Sequence, residues 1–132
     1  MGSLLALIVE DDDDAALIFA KALQDAGFES EIVRTGDKAL ARLAGPVPTV
    51  VILDLELPRV PGEDVLHQLR ADARLAKTYV IVTTAYSYLA ENLKEEADLV
   101  LIKPVGYGQL RDLAICVGSS AEAGKKGSRS PG

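Results

Sequence analysis

Leu4-Leu5-Ala6-Leu7-Ile8-Val9-Glu10-Asp11-Asp12-Asp13-Asp14 sets an unbroken apolar run directly against an acidic one. Six apolar residues in succession suit a strand covered on both faces, where neither set of side chains meets water. The run stops at Glu10, and five consecutive acids lead into a segment running from Asp14 to Ala26. There Leu17, Ala20 and Leu23, and again Phe19, Leu23 and Ala26, recur at helical spacing, and Gly27 supplies the stop. A buried strand that feeds a helix through an acidic junction is the first half-turn of a βα repeat.

The same alternation continues. Glu31 to Thr35 reads as a strand, Asp37 to Ala44 as a helix closed by Gly45-Pro46, and Thr49 to Asp54 as a strand. Beyond Pro58 and Pro61-Gly62, Glu63 to Arg70 predicts a third helix with Val65, Leu66 and Leu69 inward. Tyr79 to Thr84 and Leu99 to Ile102 are the last two strands, with a weaker helix marked by Leu89, Leu93 and Ala97 between them. Leu110, Leu113, Ala114 and Val117 mark a fifth helix. Strands buried on both faces and alternating with helices imply a parallel sheet, because each right-handed crossover lays its helix on one face. The expected fold is α/β, a flavodoxin-like doubly wound (βα)5 three-layer sandwich with a five-stranded parallel sheet. A closed eightfold barrel needs about 250 residues and is excluded.

The chain's 132 residues suit one core, placed at residues 1–120, and 121–132 carry almost nothing apolar and read as a disordered tail. No effector domain is expected to follow. The net charge is −6, and −8 without the tail's Lys125, Lys126, Arg129 and Glu122, which speaks against a nucleic-acid surface. No apolar run approaches the roughly 20 residues of a membrane span, and Met1-Gly2-Ser3 lacks the start of a signal peptide, so the cytoplasm is the expected compartment. Cys116 is the single cysteine and, among Leu113, Ala114, Ile115 and Val117, reads as a buried thiol.

In open α/β sheets, sites form beyond the carboxyl ends of the strands. Those ends carry Glu10-Asp11-Asp12, Asp54, Thr83-Thr84-Ala85 and Lys103-Pro104. Carboxylates from two strands converging on one point need a cation between them, and an all-oxygen set suits magnesium. A carboxylate such as Asp54 that attacks phosphorus gives an acyl phosphate. Lys103 offers a point charge and Thr84 a hydroxyl donor to the resulting oxygens. For Asp13 and Asp14 a solvated helix start is explanation enough.

Together, Ile8-Val9-Glu10-Asp11-Asp12, Val51-Ile52-Leu53-Asp54-Leu55-Glu56-Leu57-Pro58, Pro61-Gly62, Val80-Ile81-Val82-Thr83-Thr84-Ala85 and Ile102-Lys103-Pro104 resemble the bacterial two-component response-regulator receiver domain, the CheY-like, single-domain kind. The likeness covers about residues 4 to 118. It implies that Asp54 is the phosphoacceptor and that Mg2+ is held by Glu10, Asp11, Asp54 and the backbone carbonyl of Glu56, with Asp11 the more direct ligand. It implies Thr84, rather than Thr83, as the switch hydroxyl, Lys103 as the phosphate-binding lysine, and a cis peptide before Pro104. The implied phosphodonor is a sensor histidine kinase or histidine phosphotransfer protein. An output protein of unknown identity would read the face made by the fourth helix, fifth strand and fifth helix, which is also a route to a homodimer; neither nucleic acid nor membrane is expected. The family's usual aromatic three residues before the lysine is replaced by Val100, so a ring-rotation switch is not available.

The sequence also admits two rival readings. Asp54-Leu55-Glu56 superficially resembles the nucleophile motif of haloacid-dehalogenase phosphatases, but that family needs Asp where Glu56 stands. A receiver-like scaffold that never takes phosphate is the other. The expected function is a phosphorylation-dependent signalling module, not an enzyme in the ordinary sense.

Overall fold

A computed structural model of the protein describes residues 4–125. Five strands, β1 (Leu4–Val9), β2 (Phe28–Val33), β3 (Val50–Asp54), β4 (Tyr79–Thr84) and β5 (Leu99–Ile102), form one sheet in the order β2-β1-β3-β4-β5. Every pairing is parallel. Helices α1 (Asp13–Asp25), α2 (Gly36–Leu43), α3 (Gly62–Ala71) and α4 (Ala90–Leu93) lie in the crossovers, and α5 (Tyr107–Lys125) follows the last strand. This is the flavodoxin-like sandwich the sequence predicts.

The period of two along each strand divides the core into its two halves. Ala6, Ile8, Val50, Ile52 and Ile81 pack with Phe19 and Leu23 of α1 and Leu110 and Ala114 of α5. Leu7, Val9, Val51, Leu53, Val80 and Val82 face the other way, onto Ala39 and Leu43 of α2, Val65, Leu66 and Leu69 of α3, and Leu93 of α4. Where α1 begins, the Asp12 side chain accepts from the Ala15 N–H at 2.8 Å, and Asp13 and Asp14 occupy the first turn, where an acid complements the helix dipole. Thr35 caps α2 by accepting from Lys38 N–H.

Several local expectations need correction. β2 starts at Phe28, not Glu31, because Gly27 (φ 99°) turns the chain directly into the sheet and buries the Phe28 ring. Leu17 is 63 % exposed, and Ala16 takes the inward position in its place. The weak fourth helix is a 3-10 turn at Ser87–Leu89 and a single α-turn, followed by a segment clipped by Arg70. That guanidinium donates to Glu96 O at 2.6 Å, Thr78 O at 3.1 Å and Asp98 Oδ2 at 2.7 Å, tying the segment between α4 and β5 to α3 and the start of β4. Cys116 is exposed rather than buried, since it lines a cleft of about 640 Å3 with Leu4, Pro48, Tyr79 and Val117 at the amino ends of the strands. Helix α5 runs to Lys125, so the boundary drawn at residue 120 falls inside it, and Ala121 packs on the core. The expectation for 126–132 lies outside the described residues. Among the described residues no helix is long and apolar enough to cross a membrane.

Gly62 fixes the loop after β3. A Cβ there would lie 2.5 Å from Asp54 O, 2.6 Å from Leu55 Cα and 2.8 Å from Leu55 O, all backbone atoms that have no side-chain freedom to yield. Gly62→Ala is therefore expected to destabilise the protein by about 2–3 kcal/mol or more through overpacking, read as a lower urea midpoint. An unchanged midpoint would mean the β3–α3 loop relaxes freely.

Candidate functional site

Register brings the polar groups together. Val9 pairs with Leu53 and Asp54 with Thr83, so Glu10, Asp54 and the end of β4 emerge side by side at the carboxyl rim. Thr84 pairs with Ile102, and Lys103 continues the ladder by donating its N–H to Thr84 O at 2.8 Å. The peptide before Pro104 is cis.

Asp54 is 1 % exposed and Glu10 2 % exposed, whereas Asp11 is open to solvent. Carboxylate oxygens of Glu10, Asp11 and Asp54 all lie within 4.8 Å of one another. Lys103 Nζ donates to Asp54 Oδ1 at 2.7 Å, and the Glu56 N–H donates to the same oxygen at 3.0 Å. Thr84 Oγ1 lies on this rim, accepting from Tyr86 N–H at 3.1 Å, while Thr83 Oγ1 is buried with no hydrogen-bond partner. The candidates Glu10, Asp11, Asp54, Glu56, Thr84 and Lys103 thus all converge.

Burial disfavours the Lys103 ammonium, but the Asp54 and Glu56 carboxylates outweigh it and raise its pKa. Glu10 is the uncompensated member. Burial, reinforced by the Asp54 charge and opposed by the Asp12 N–H, pushes it up to about 7. Its Oε2 accepts from that N–H at 3.1 Å, yet its Oε1 is buried without any partner. An orphaned carboxylate oxygen beside two further carboxylates is the donor set of a hard divalent cation, and magnesium fits it.

Residues 6–115 match the response regulator receiver domain family. The chain belongs to that family. A methanogenesis regulatory protein from Methanothrix harundinacea, FilR2, is 33 % identical over 81 % of this chain and 76 % of its own length. The sensory transduction protein RegX3 of Mycolicibacterium smegmatis is 37 % identical over 79 % of this chain, but this chain spans only 46 % of RegX3. A CheY-like receiver domain from Methylobacillus flagellatus superposes with a TM-score of 0.78 at 28 % identity, covering 88 % of this chain and 99 % of that one.

The receiver therefore works in two-component signalling, and its acidic pocket is where such domains take a divalent ion. A pH dependence follows from Glu10. A carboxyl whose folded pKa lies above its unfolded value of 4.5 opposes folding fully above pH 7 and not at all below 4.5. In metal-free buffer, Glu10→Gln is expected to stabilise the receiver at pH 8 by up to about 3 kcal/mol, at about 1.4 kcal/mol per pKa unit, and to match the parent near pH 4. Urea unfolding at the two pH values checks this. A Gln variant that is weaker at pH 8 would show the Glu10 charge to be stabilising.

Sequence reasoning missed the Glu56 side chain. Only its backbone carbonyl was expected to matter, but its carboxylate accepts from Thr84 Oγ1 at 2.6 Å and from the Ala85 N–H at 3.0 Å, and lies 3.2 Å from Lys103 Nζ. The acidic charge two residues past Asp54 and the Lys103 charge were the available signals.

Proposed function

We propose that this receiver is a phosphorylation switch with Asp54 as its phosphoacceptor. The observation that carries the reading is a buried Asp54 carboxylate held between the Lys103 ammonium and the Glu10–Asp11 acids. An Asp54 oxygen attacks the phosphorus of a phosphohistidine on a sensor kinase or phosphotransfer protein. The O–P bond forms as the P–N bond breaks, and the imidazole leaves with the electron pair and then takes a proton. Glu10, Asp11, Asp54 and the Glu56 carbonyl would hold Mg2+, which when bound screens the carboxylates from the incoming phosphoryl charge and orients its oxygens. Lys103 neutralises the new oxyanion and Thr84 donates its hydroxyl to it.

Output then passes through the segment after β4. Tyr86 and Tyr88 are 48 % and 73 % exposed; the Tyr86 N–H donates to Thr84 Oγ1, and the Tyr88 ring packs against that of Tyr86. With Val100 in place of a ring, this segment carries the change to the α4-β5-α5 face, where an output protein or a second copy binds. The exchange takes place in the cytoplasm, by protein contact and without nucleic acid or membrane.

Acetyl phosphate with magnesium, followed by intact-mass measurement, tests the proposal. One alkali-labile phosphoryl group per chain, gained only with the metal, is expected. No gain would return the scaffold reading, and steady turnover of a simple phosphate ester would return the phosphatase reading.

A further inference from the structure

A phosphoryl group on Asp54 needs cationic and hydrogen-bond donors at the ends of β4 and β5, and these donors already serve another anion. Thr84 Oγ1 donates to Glu56 Oε2 at 2.6 Å, the Ala85 N–H donates to Glu56 Oε1 at 3.0 Å, and Lys103 Nζ stands 3.2 Å from the same oxygen. The Glu56 N–H in turn donates to Asp54 Oδ1, which sets its side chain beside the acceptor. Glu56 is not trapped there by packing, since its side chain is 31 % exposed. Burial disfavours its charge, yet the Thr84, Ala85 and Lys103 contacts win and lower its pKa. A carboxylate offers two oxygens with spacing and charge close to those of two phosphoryl oxygens, and two anions cannot share one set of donors.

We propose that the Glu56 carboxylate is the resting occupant of the phosphoryl subsite, a tethered anion that must leave Thr84, the Ala85 N–H and Lys103 before Asp54 can keep a phosphoryl group. This rests on Asp54 being the phosphoacceptor. Two consequences follow. The occupied subsite slows phosphorylation, because displacement of Glu56 toward solvent is part of the barrier. It also holds Thr84 and the segment from Ala85 to Tyr86 inward before any phosphate arrives, which reduces the movement left for phosphorylation to cause.

The test uses the full chain in magnesium buffer, as parent, Glu56→Ala and Glu56→Gln. Without a phosphodonor, the Ala85 amide is read by NMR. Glu56→Ala should shift it upfield and speed its hydrogen exchange, and beryllofluoride should then move it back toward the parent position. With acetyl phosphate, the initial labelling rate of Glu56→Ala should rise about tenfold, the scale of one charge-assisted contact, with Glu56→Gln in between. An Ala85 amide unmoved by Glu56→Ala, or labelling no faster than the parent, overturns the inference alone. If no chain takes label at all, the phosphoacceptor reading falls and the inference falls with it.

Discussion

Asp54→Asn is expected to take up no phosphoryl group from acetyl phosphate under conditions that label the parent fully. The substitution keeps the shape and removes the anionic oxygen that attacks phosphorus. Its fold should survive, because the amide oxygen retains the bonds from Lys103 Nζ and the Glu56 N–H that Oδ1 accepts. The amide NH2 gives the neighbouring acids a donor, and Glu10 Oε1 has none in the parent. Removing a charge from a site where Glu10 is already pushed up to about 7 relieves repulsion, so the variant should be at least as stable as the parent at neutral pH. Loss of labelling with stability retained separates a missing nucleophile from a broken site. A variant that still gained an alkali-labile phosphoryl group would place the acceptor elsewhere.

Asp11→Ala should have the second largest effect, on magnesium binding. Asp11 is the exposed member of the acidic trio, so its removal takes away cation affinity without opening a cavity. The loss is expected to be on the order of a hundredfold, because a unit charge at about 4 Å contributes about 4 kcal/mol at an effective dielectric of 20, part of which water recovers. Affinity in the parent should also fall as pH drops through 7, since protons compete for Glu10. Calorimetric titration checks both. Equal affinity in parent and variant would show the trio to be a solvated cluster.

The fold was legible because its signals repeat. All six residues from Leu4 to Val9 are apolar, four of the five strands run into polar groups at their carboxyl ends, and the parallel register then places Glu10 beside Asp54 without any long-range guess. What escaped was decided by tertiary context. The start of β2 depends on the positive φ of Gly27, and Leu17 and Cys116 are apolar residues whose faces the neighbouring helices do not cover. The Gly62 requirement arises from the approach of the α3 start to the Asp54–Leu55 backbone, which no spacing rule contains. Glu56 was read for its carbonyl because side-chain direction in a loop is set by partners, here Thr84, Ala85 and Lys103, that lie far from it in sequence, Thr84 and Ala85 being 28 and 29 residues away.

The position of the phosphoryl group bears most directly on all of this. Protein labelled with acetyl phosphate and magnesium can be reduced with borohydride, which converts an aspartyl phosphate to homoserine, and then digested and sequenced by mass spectrometry. Homoserine is expected at position 54 alone, and at no position in Asp54→Asn. Homoserine at Asp11 or any other acid, or a stable label that borohydride leaves untouched, would contradict Asp54 as the acceptor.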